Sequence, residues 1–510
     1  MKTPNSAVKK VIIVGGGAAG WLTAAILASA RPDLTITLIE SPDVKILGVG
    51  EGTWPTMRNT LQQIGISELQ FVTACDASFK QGTSFHNWLD DISPHQYYHP
   101  FSLPLDYPNP ALGSWWQHYQ GQQSFAHSTT SQAILCDHSR APKQPQTPPF
   151  AGVVNYGYHL DAHKFAMLLQ NHATQYLGVT HLSDHIQAIS GSTDGPIESV
   201  TGRSQGEIYG DLFIDCSGFA ARLIGQHYGT ELRSCEQTLA NNSAVAMPVN
   251  YQQANSDIAS VTRSTAQDYG WIWDIGLPTR KGVGYVFSDE HCSREEALST
   301  LGEYIRHDVT SEDDPDLSQA RFFNFKPGYR ETLWRHNCVA IGTSAGFLEP
   351  LEASALVMIE MAAGHLAEQM PATSEQFEPA ARQFNQLFTQ RWQRAVDFLK
   401  LHYVLSHRRH NTYWRQMTAL ETTSQQLRDW LSLWQSRMPL GSDFPLREEL
   451  FPAASFQYVL YGMGQSTQTA LNGNPHSLHQ AYEQLRHLCH QQLNGLPSNR
   501  ELLSALSVLN

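Results

Sequence analysis

Charge is scarce in this chain. Only 16% of its 510 residues are Asp, Glu, Lys or Arg, against roughly 25% in an average soluble protein. The balance is acidic, Lys+Arg 34 against Asp+Glu 47, for a formal net charge of -13. No stripe of cations stands out, which argues against nucleic acid or an anionic membrane as partner. Paired cysteines are missing as well: the seven, at 75, 136, 216, 235, 292, 338 and 489, are odd in number and include no Cys-x-x-Cys. That pattern excludes a zinc framework and fits free thiols in a reducing, cytoplasmic compartment. Hydrophobic residues are an ordinary 41% and tryptophans number 12, so the chain is globular, and its length suggests about three structural units. His95 and His99, or His159 and His163, stand four apart, but without a third ligand in a recognisable frame no metal is expected.

From Val11 to Ala30 charge is absent altogether, and the stretch follows Lys9-Lys10 and ends Ala28-Ser29-Ala30. Alone it resembles a signal peptide, but three glycines, Gly15 to Gly17, interrupt it where a signal helix would want leucine. A strand, a Gly-x-Gly-x-x-Gly turn and a helix explain it better. Val11-Ile12-Ile13-Val14 is β-branched, Gly15, Gly17 and Gly20 punctuate the turn around Ala18-Ala19, and Trp21 to Ala30 is rich in helix formers. A second apolar strand, Thr35 to Ile39, is closed by Glu40, twenty residues after Gly20. The glycines admit a pyrophosphate, the helix N-terminus stabilises its charge, and the acid accepts from ribose hydroxyls.

FAD is favoured over NAD because two later segments repeat a strand running into a small-residue turn. They are Asp211 to Gly218, which includes Asp215, and Cys338 to Gly346, which includes Gly342. Each alone also reads as an ordinary strand and turn of a parallel sheet. No second Gly-x-Gly-x-x-Gly follows a strand, so no separate nicotinamide domain is visible, although hydroxylases that bind NADPH in a groove would lack one too. The flavin motifs spread from residue 11 to about 346, so the segments between them are insertions covering the flavin, about 80–150 and 225–320. Residues 90 to 150 are poor in charge and rich in Pro, Tyr, Trp and His, which predicts irregular structure with an aromatic lining for a flat apolar ligand. From 353 the composition turns helical, with Ser354 to Glu368, Ser374 to Leu405 and Thr422 to Trp434 as expected helices of a C-terminal cap. The fold class is α/β: an FAD-binding Rossmann-like core, of the flavin-monooxygenase-like GR2 type, over residues 1–352, with a mainly helical cap over 353–510.

These residues resemble the flavin-dependent tryptophan halogenases. The resemblance rests on Gly-Gly-Gly-Ala-Ala-Gly-Trp, the Gly48-Val49-Gly50-Glu51-Gly52-Thr53 loop, Tyr158-His159-Leu160-Asp161, Gly270-Trp271-Ile272-Trp273-Asp274-Ile275, Gly284 to Ser288, and Gly346-Phe347-Leu348-Glu349-Pro350-Leu351-Glu352. They occur in the family's order and cover roughly residues 8 to 400; Trp-x-Trp-x-Ile separates halogenases from flavin hydroxylases. The resemblance implies that reduced FAD, from a separate flavin reductase, reacts with dioxygen and halide. The hypohalous acid so formed crosses a tunnel to an aromatic substrate. It implies Lys80 and Glu352 as the catalytic pair, with Gly50, Glu51 and Leu351 beside the cofactor. His99, Phe101, Trp271 and Trp273 would flank the substrate or tunnel, and the halide would lie near Ser354 and Ala355. An ammonium can donate to hypohalous acid or itself be halogenated, and a carboxylate can stabilise an arenium cation and accept its proton. Without the resemblance, Lys80 reads as a solvated lysine and the Glu349–Glu352 pair as a charge match to a helix start.

Three positions depart from the family. Its proline after the isoleucine is Gly276 here, its Ser-Thr-Gly halide run is Ala353-Ser354-Ala355, and no Tyr-Tyr, Glu and Phe-Trp set occurs between 400 and 460 to hold an amino-acid end. The expectation is therefore a halogenase of an indole-type arene, accepting indole better than tryptophan and bromide at least as well as chloride. A homodimer stays open. A flavin monooxygenase that never oxidises halide, or a non-catalytic flavin-binding protein, is the alternative.

Overall fold

The computed structural model describes residues 7–43, 50–109, 111–119, 123–310, 315–468 and 473–508. The loop positions Gly48 and Val49 lie outside them.

The apolar opening of the chain folds into strand β1 (Lys10–Val14), helix α1 (Ala18–Ala30) and strand β2 (Thr35–Glu40). β1 and β2 run parallel, so the chain must cross back between them, and α1 is that crossover. Leu212–Asp215 pairs in parallel on the other side of β1, and Cys338–Ala340 pairs in parallel beyond it. With Thr180–Ser183 outside β2 and the antiparallel edge Trp334–Arg335, they form one six-stranded sheet. A parallel sheet covered on both faces needs apolar side chains on both; Val11 to Val14 and Leu212 to Ile214 are all buried. α1 itself packs against the helices Ser354–Glu368, Ala162–Tyr176 and Thr56–Ile64. Contact on all sides is why its sequence is uncharged all round rather than amphipathic.

The two expected insertions meet in a second, seven-stranded sheet. Its order is Arg321–Asn324, Ser243–Asn250, Arg280–Phe287, Gly270–Gly276, Thr262–Gln267, Gly82–His86 and Gln96–Pro100. The joint between them is parallel, Thr262–Gln267 on Gly82–His86. A small third sheet sets Glu51–Gly52 and Ser78–Lys80 on either side of Gly157–Leu160. Ser78 Oγ donates to Gly276 O at 2.6 Å, tying this sheet to the end of the tryptophan-bearing strand.

The 90–150 segment is more regular than its composition predicts. Besides the Gln96–Pro100 strand it holds three short helices, Ala111–Tyr119, Phe125–Thr129 and Gln132–Asp137, too brief to imprint a helical period on the sequence. Its tryptophans do not wall a ligand pocket: Trp116 packs against Phe125 and Tyr461, and Trp115 against Tyr482. C-terminal helices Phe377–Val404 and Ala453–Gly462 pack on the second sheet, His402 stacking on Phe85, and Gln425–Leu433 packs against both helices through Trp430. Further on, Asn499 uses both ends of its side-chain amide on the backbone of Phe79, donating to its carbonyl at 3.0 Å and accepting from its N–H at 3.4 Å. The helix Ser354–Glu368, at the expected start of the cap, packs on α1.

Candidate active site

The glycines of the opening turn divide their work. Gly15 has φ +118°, and a Cβ there would lie 2.1 Å from the carbonyl oxygen of Cys216, so only glycine lets β1 meet the end of its neighbour. At Gly20 a Cβ would strike Gly15 O at 1.9 Å, whereas Gly17 faces open space. α1 begins at Gly17 with no side-chain cap and no acid in its first turn, leaving its N–H groups for an anion. Gly17, Ala18 and Ala19 line a cavity of about 290 Å³ that Gly342, Cys216 and Gly218 close from the two later strand ends. A Cβ on Gly342, at φ +78°, would sit 2.6 Å from the Cβ of Ala19. An open glycine, an uncapped helix start and strand ends drawn close fit a dinucleotide such as FAD.

Other cofactor candidates fall unevenly around this cavity. Glu40 ends β2 beneath Gly16, with Oε2 3.1 Å from His181 Nε2. Glu51 is half-buried on the cavity wall, and desolvation pushes its carboxyl up to about 7. Gly50, at φ +83°, leads into its strand. Asp215 differs from expectation: one oxygen accepts from the N–H and hydroxyl of Ser217 and the other from the N–H groups of Leu223 and Ile224. It ties its strand to the following turns and has no lone pair left for a ligand. Leu351 buries its side chain in the core, which leaves only its backbone to offer.

Lys80 and Glu352 come together. Lys80, 1% exposed, makes no hydrogen bond or ion pair among the described residues, and its ammonium sits 5.4 Å from the centre of the half-buried Phe101 ring. Burial lowers its pKa to about 8, against the opposing charge of Glu352. Gly52 gives it room, since a Cβ there would stand 2.9 Å from Nζ and 3.3 Å from the Cβ of Ala353. Glu352, 4% exposed, has Oε1 2.8 Å from His99 Nδ1 and 3.2 Å from His402 Nε2, the latter in ion-pair range but off the hydrogen-bond axis. Burial raises its pKa, yet the two imidazoles outweigh burial and hold the carboxyl at about 2. Tyr97 Oη lies 2.6 Å from His402 Nδ1. Phe398 packs beside His99 and stacks on Phe451, which meets Trp54 edge-on.

Trp271 and Trp273 share one face of their strand. Trp271 Nε1 donates to Glu349 Oε2 at 2.6 Å, and Trp273 lies over Gly284, where a Cβ would come within 2.2 Å of its ring. Ser354 and Ala355 line the dinucleotide cavity at the start of the Ser354–Glu368 helix. That helix has no side-chain cap, and its N-cap Ala353 is left-handed at φ 51°. His402, and Asn241 and Tyr403 that join Trp271 on Glu349, are not identified by the sequence reading, and Tyr97 falls there only within the aromatic 90–150 segment. The spacing of Phe398 and His402, four apart on one helix, carries a weak signal of them.

The sequence profile of the tryptophan halogenase family matches residues 10–475. The chain belongs to this family. It is 31% identical to the tryptophan 6-halogenase SttH of Streptomyces toxytricini over 526 residues, covering 98% of each chain. To the tryptophan 7-halogenase RebH of Lentzea aerocolonigenes it is 31% identical over 425 residues, 80% of this chain and 78% of RebH. Among solved structures, that of a tryptophan halogenase from Shewanella frigidimarina superposes with a TM-score of 0.94 at 44% identity, over 99% of this chain and 98% of that one. The flavin-dependent halogenase BrvH of Brevundimonas sp. BAL3 gives 0.86 at 30% identity, over 98% and 99%. This halogenase is thus a flavin-dependent enzyme with the α/β fold of the family.

Proposed function

We propose that this halogenase makes hypohalous acid from reduced FAD, dioxygen and halide, and uses it at Lys80 to halogenate an indole-type arene. One observation carries the reading: a buried lysine without a hydrogen-bond or ion-pair partner among the described residues, beside a buried glutamate flanked by two imidazoles. Reduced FAD, when bound, would supply the two electrons that, with the two lost by the halide, take dioxygen to water and the oxygen of hypohalous acid. The N–H groups of Ser354 and Ala355, at an uncapped helix start, suit a halide; a weakly hydrated bromide suits them at least as well as chloride.

Lys80 then holds the electrophilic halogen, by donating a hydrogen bond from its ammonium or by carrying it as a haloamine. Phe101 and Trp54 stack the flat ring, with Phe398 and Phe451 behind them. As halogen bonds to carbon, the Glu352 carboxylate stabilises the arenium cation and accepts the displaced proton. Held near 2, it is ionised throughout the physiological range. The reduced flavin comes from a separate reductase, a reading supported by the lack of a second dinucleotide turn in the sequence.

These aromatic walls favour indole or a substituted indole over zwitterionic tryptophan, whose two charges would each cost several kcal/mol to bury unpaired. A competition at equal indole and tryptophan, with reduced FAD, dioxygen and bromide, is expected to yield mostly bromoindole by mass spectrometry. Predominantly brominated tryptophan would overturn the substrate assignment.

A further inference from the structure

A carboxyl that the reaction above does not use stands at the partition between the dinucleotide cavity and Lys80. Glu349, Pro350, Ser354 and Ala355 line the cavity, whereas Glu352 of the same turn faces His99 and His402 on the other side. Glu349 is 1% exposed. Its Oε2 takes three donors, Trp271 Nε1 at 2.6 Å, Asn241 Nδ2 at 2.6 Å and Tyr403 Oη at 2.8 Å. Those donors are themselves fixed, for Tyr413 Oη donates to Asn241 Oδ1 at 3.0 Å and Asn241 Nδ2 to Tyr403 Oη at 3.0 Å. Oε1 has no hydrogen-bond partner among the described residues.

A carboxyl needed only to orient Trp271 would be an expensive choice, because a neutral amide anchors an indole N–H without a second buried oxygen to satisfy. One oxygen locked by three donors and the other unmatched is instead the arrangement of a group that presents an atom to a visitor. What crosses this partition, on the reading proposed above, is hypohalous acid, a small neutral molecule with one O–H. A carboxylate oxygen accepts from that O–H, which an amide NH2 in its place cannot do.

We infer that Glu349 Oε1 is a docking point for hypohalous acid on its way to Lys80, which keeps the oxidant within the protein. The inference rests on the halogenase reading, and one experiment separates the two. The holoenzyme, saturated with FAD as judged by fluorescence titration of each variant, is given dioxygen, bromide and indole. A phenol trap in bulk solution captures any hypobromous acid that escapes. In Glu349→Gln the amide oxygen still serves the three donors, and an NH2 replaces the free oxygen. The ratio of brominated trap to brominated indole is expected to rise about fivefold, the worth of one hydrogen bond of average strength. An unchanged ratio overturns the docking role, as does a fall of both products together, the mark of a structural defect. If Glu349→Gln does not fold, Glu349→Asp, which withdraws the carboxyl by one methylene, is expected to shift the ratio the same way, and no shift overturns the inference. Bromination of neither trap nor indole by the parent enzyme sinks the halogenase reading, and the inference with it.

Discussion

At the scale of single residues, the site depends on how a lysine is held in the interior. Burying an ammonium without a hydrogen-bond acceptor is costly unless a charge faces it, and among the described residues Lys80 has only the Phe101 ring and the field of Glu352. Gly52 is the residue that lets it stand there. Gly52→Ala would push against Nζ, the mobile end of a side chain, and only slightly against Ala353, so the fold is expected to survive while the ammonium moves. FAD affinity, read by fluorescence titration, should stay at the parent's value while indole bromination falls by roughly 10²-fold, the effect of an ångström-scale misplacement. Parent-rate bromination in a folded Gly52→Ala would show that Lys80 needs no such clearance. Lys80 and Glu352 were legible only through motifs on either side of them, because a lone lysine in Ser-Phe-Lys looks solvated. The parts of His402 and Tyr97 were illegible, since His402 meets Glu352, and Tyr97 meets His402, only in the packed fold.

Among the elements, the helix Ser354–Glu368 starts two residues after Glu352 and lines the cavity with Ser354 and Ala355, and it carries a pH-sensitive contact of its own. Glu360 is buried against the helix Thr56–Ile64, where Thr56 and Thr60 donate to its two oxygens. Burial outweighs those hydroxyls and raises its carboxyl to about 7, from 4.5. The folded state therefore keeps a proton that the unfolded chain releases near 4.5. The stability from this group is full below that pH, is lost as pH rises towards 7, and changes little above. Glu360→Gln, neutral at every pH, is expected to flatten the decline of Tm between pH 5 and about 7; equal slopes in the two proteins would contradict the assignment. β1 and α1 were legible from the glycine turn that joins them, and the cap helices from their helical period. The parallel pairing of Thr262–Gln267 with Gly82–His86 was not, because it joins two distant insertions and no local pattern encodes such a partner.

Across the whole molecule, a parallel sheet carries the cofactor cavity, a second sheet with its helical cap encloses Lys80, and the 349–355 turn divides them. On the proposed reading, flavin chemistry and arene chemistry are expected to be separable by mutation across this division. No helix among the described residues is long and apolar enough to cross a membrane; the uncharged run at the start of the chain is the buried crossover of the first sheet. The separation of Lys80 from the glycine-rich turn was expected from the family resemblance, while the way in which two insertions and the cap jointly enclose Lys80 appeared only in three dimensions. Lys80→Ala tests this division most directly, with reduced FAD, dioxygen, bromide and indole supplied together and oxygen uptake and bromoindole followed in the same vessel. The account predicts that oxygen is still consumed at the expense of reduced flavin while bromoindole disappears; bromoindole formed at the parent rate would contradict it.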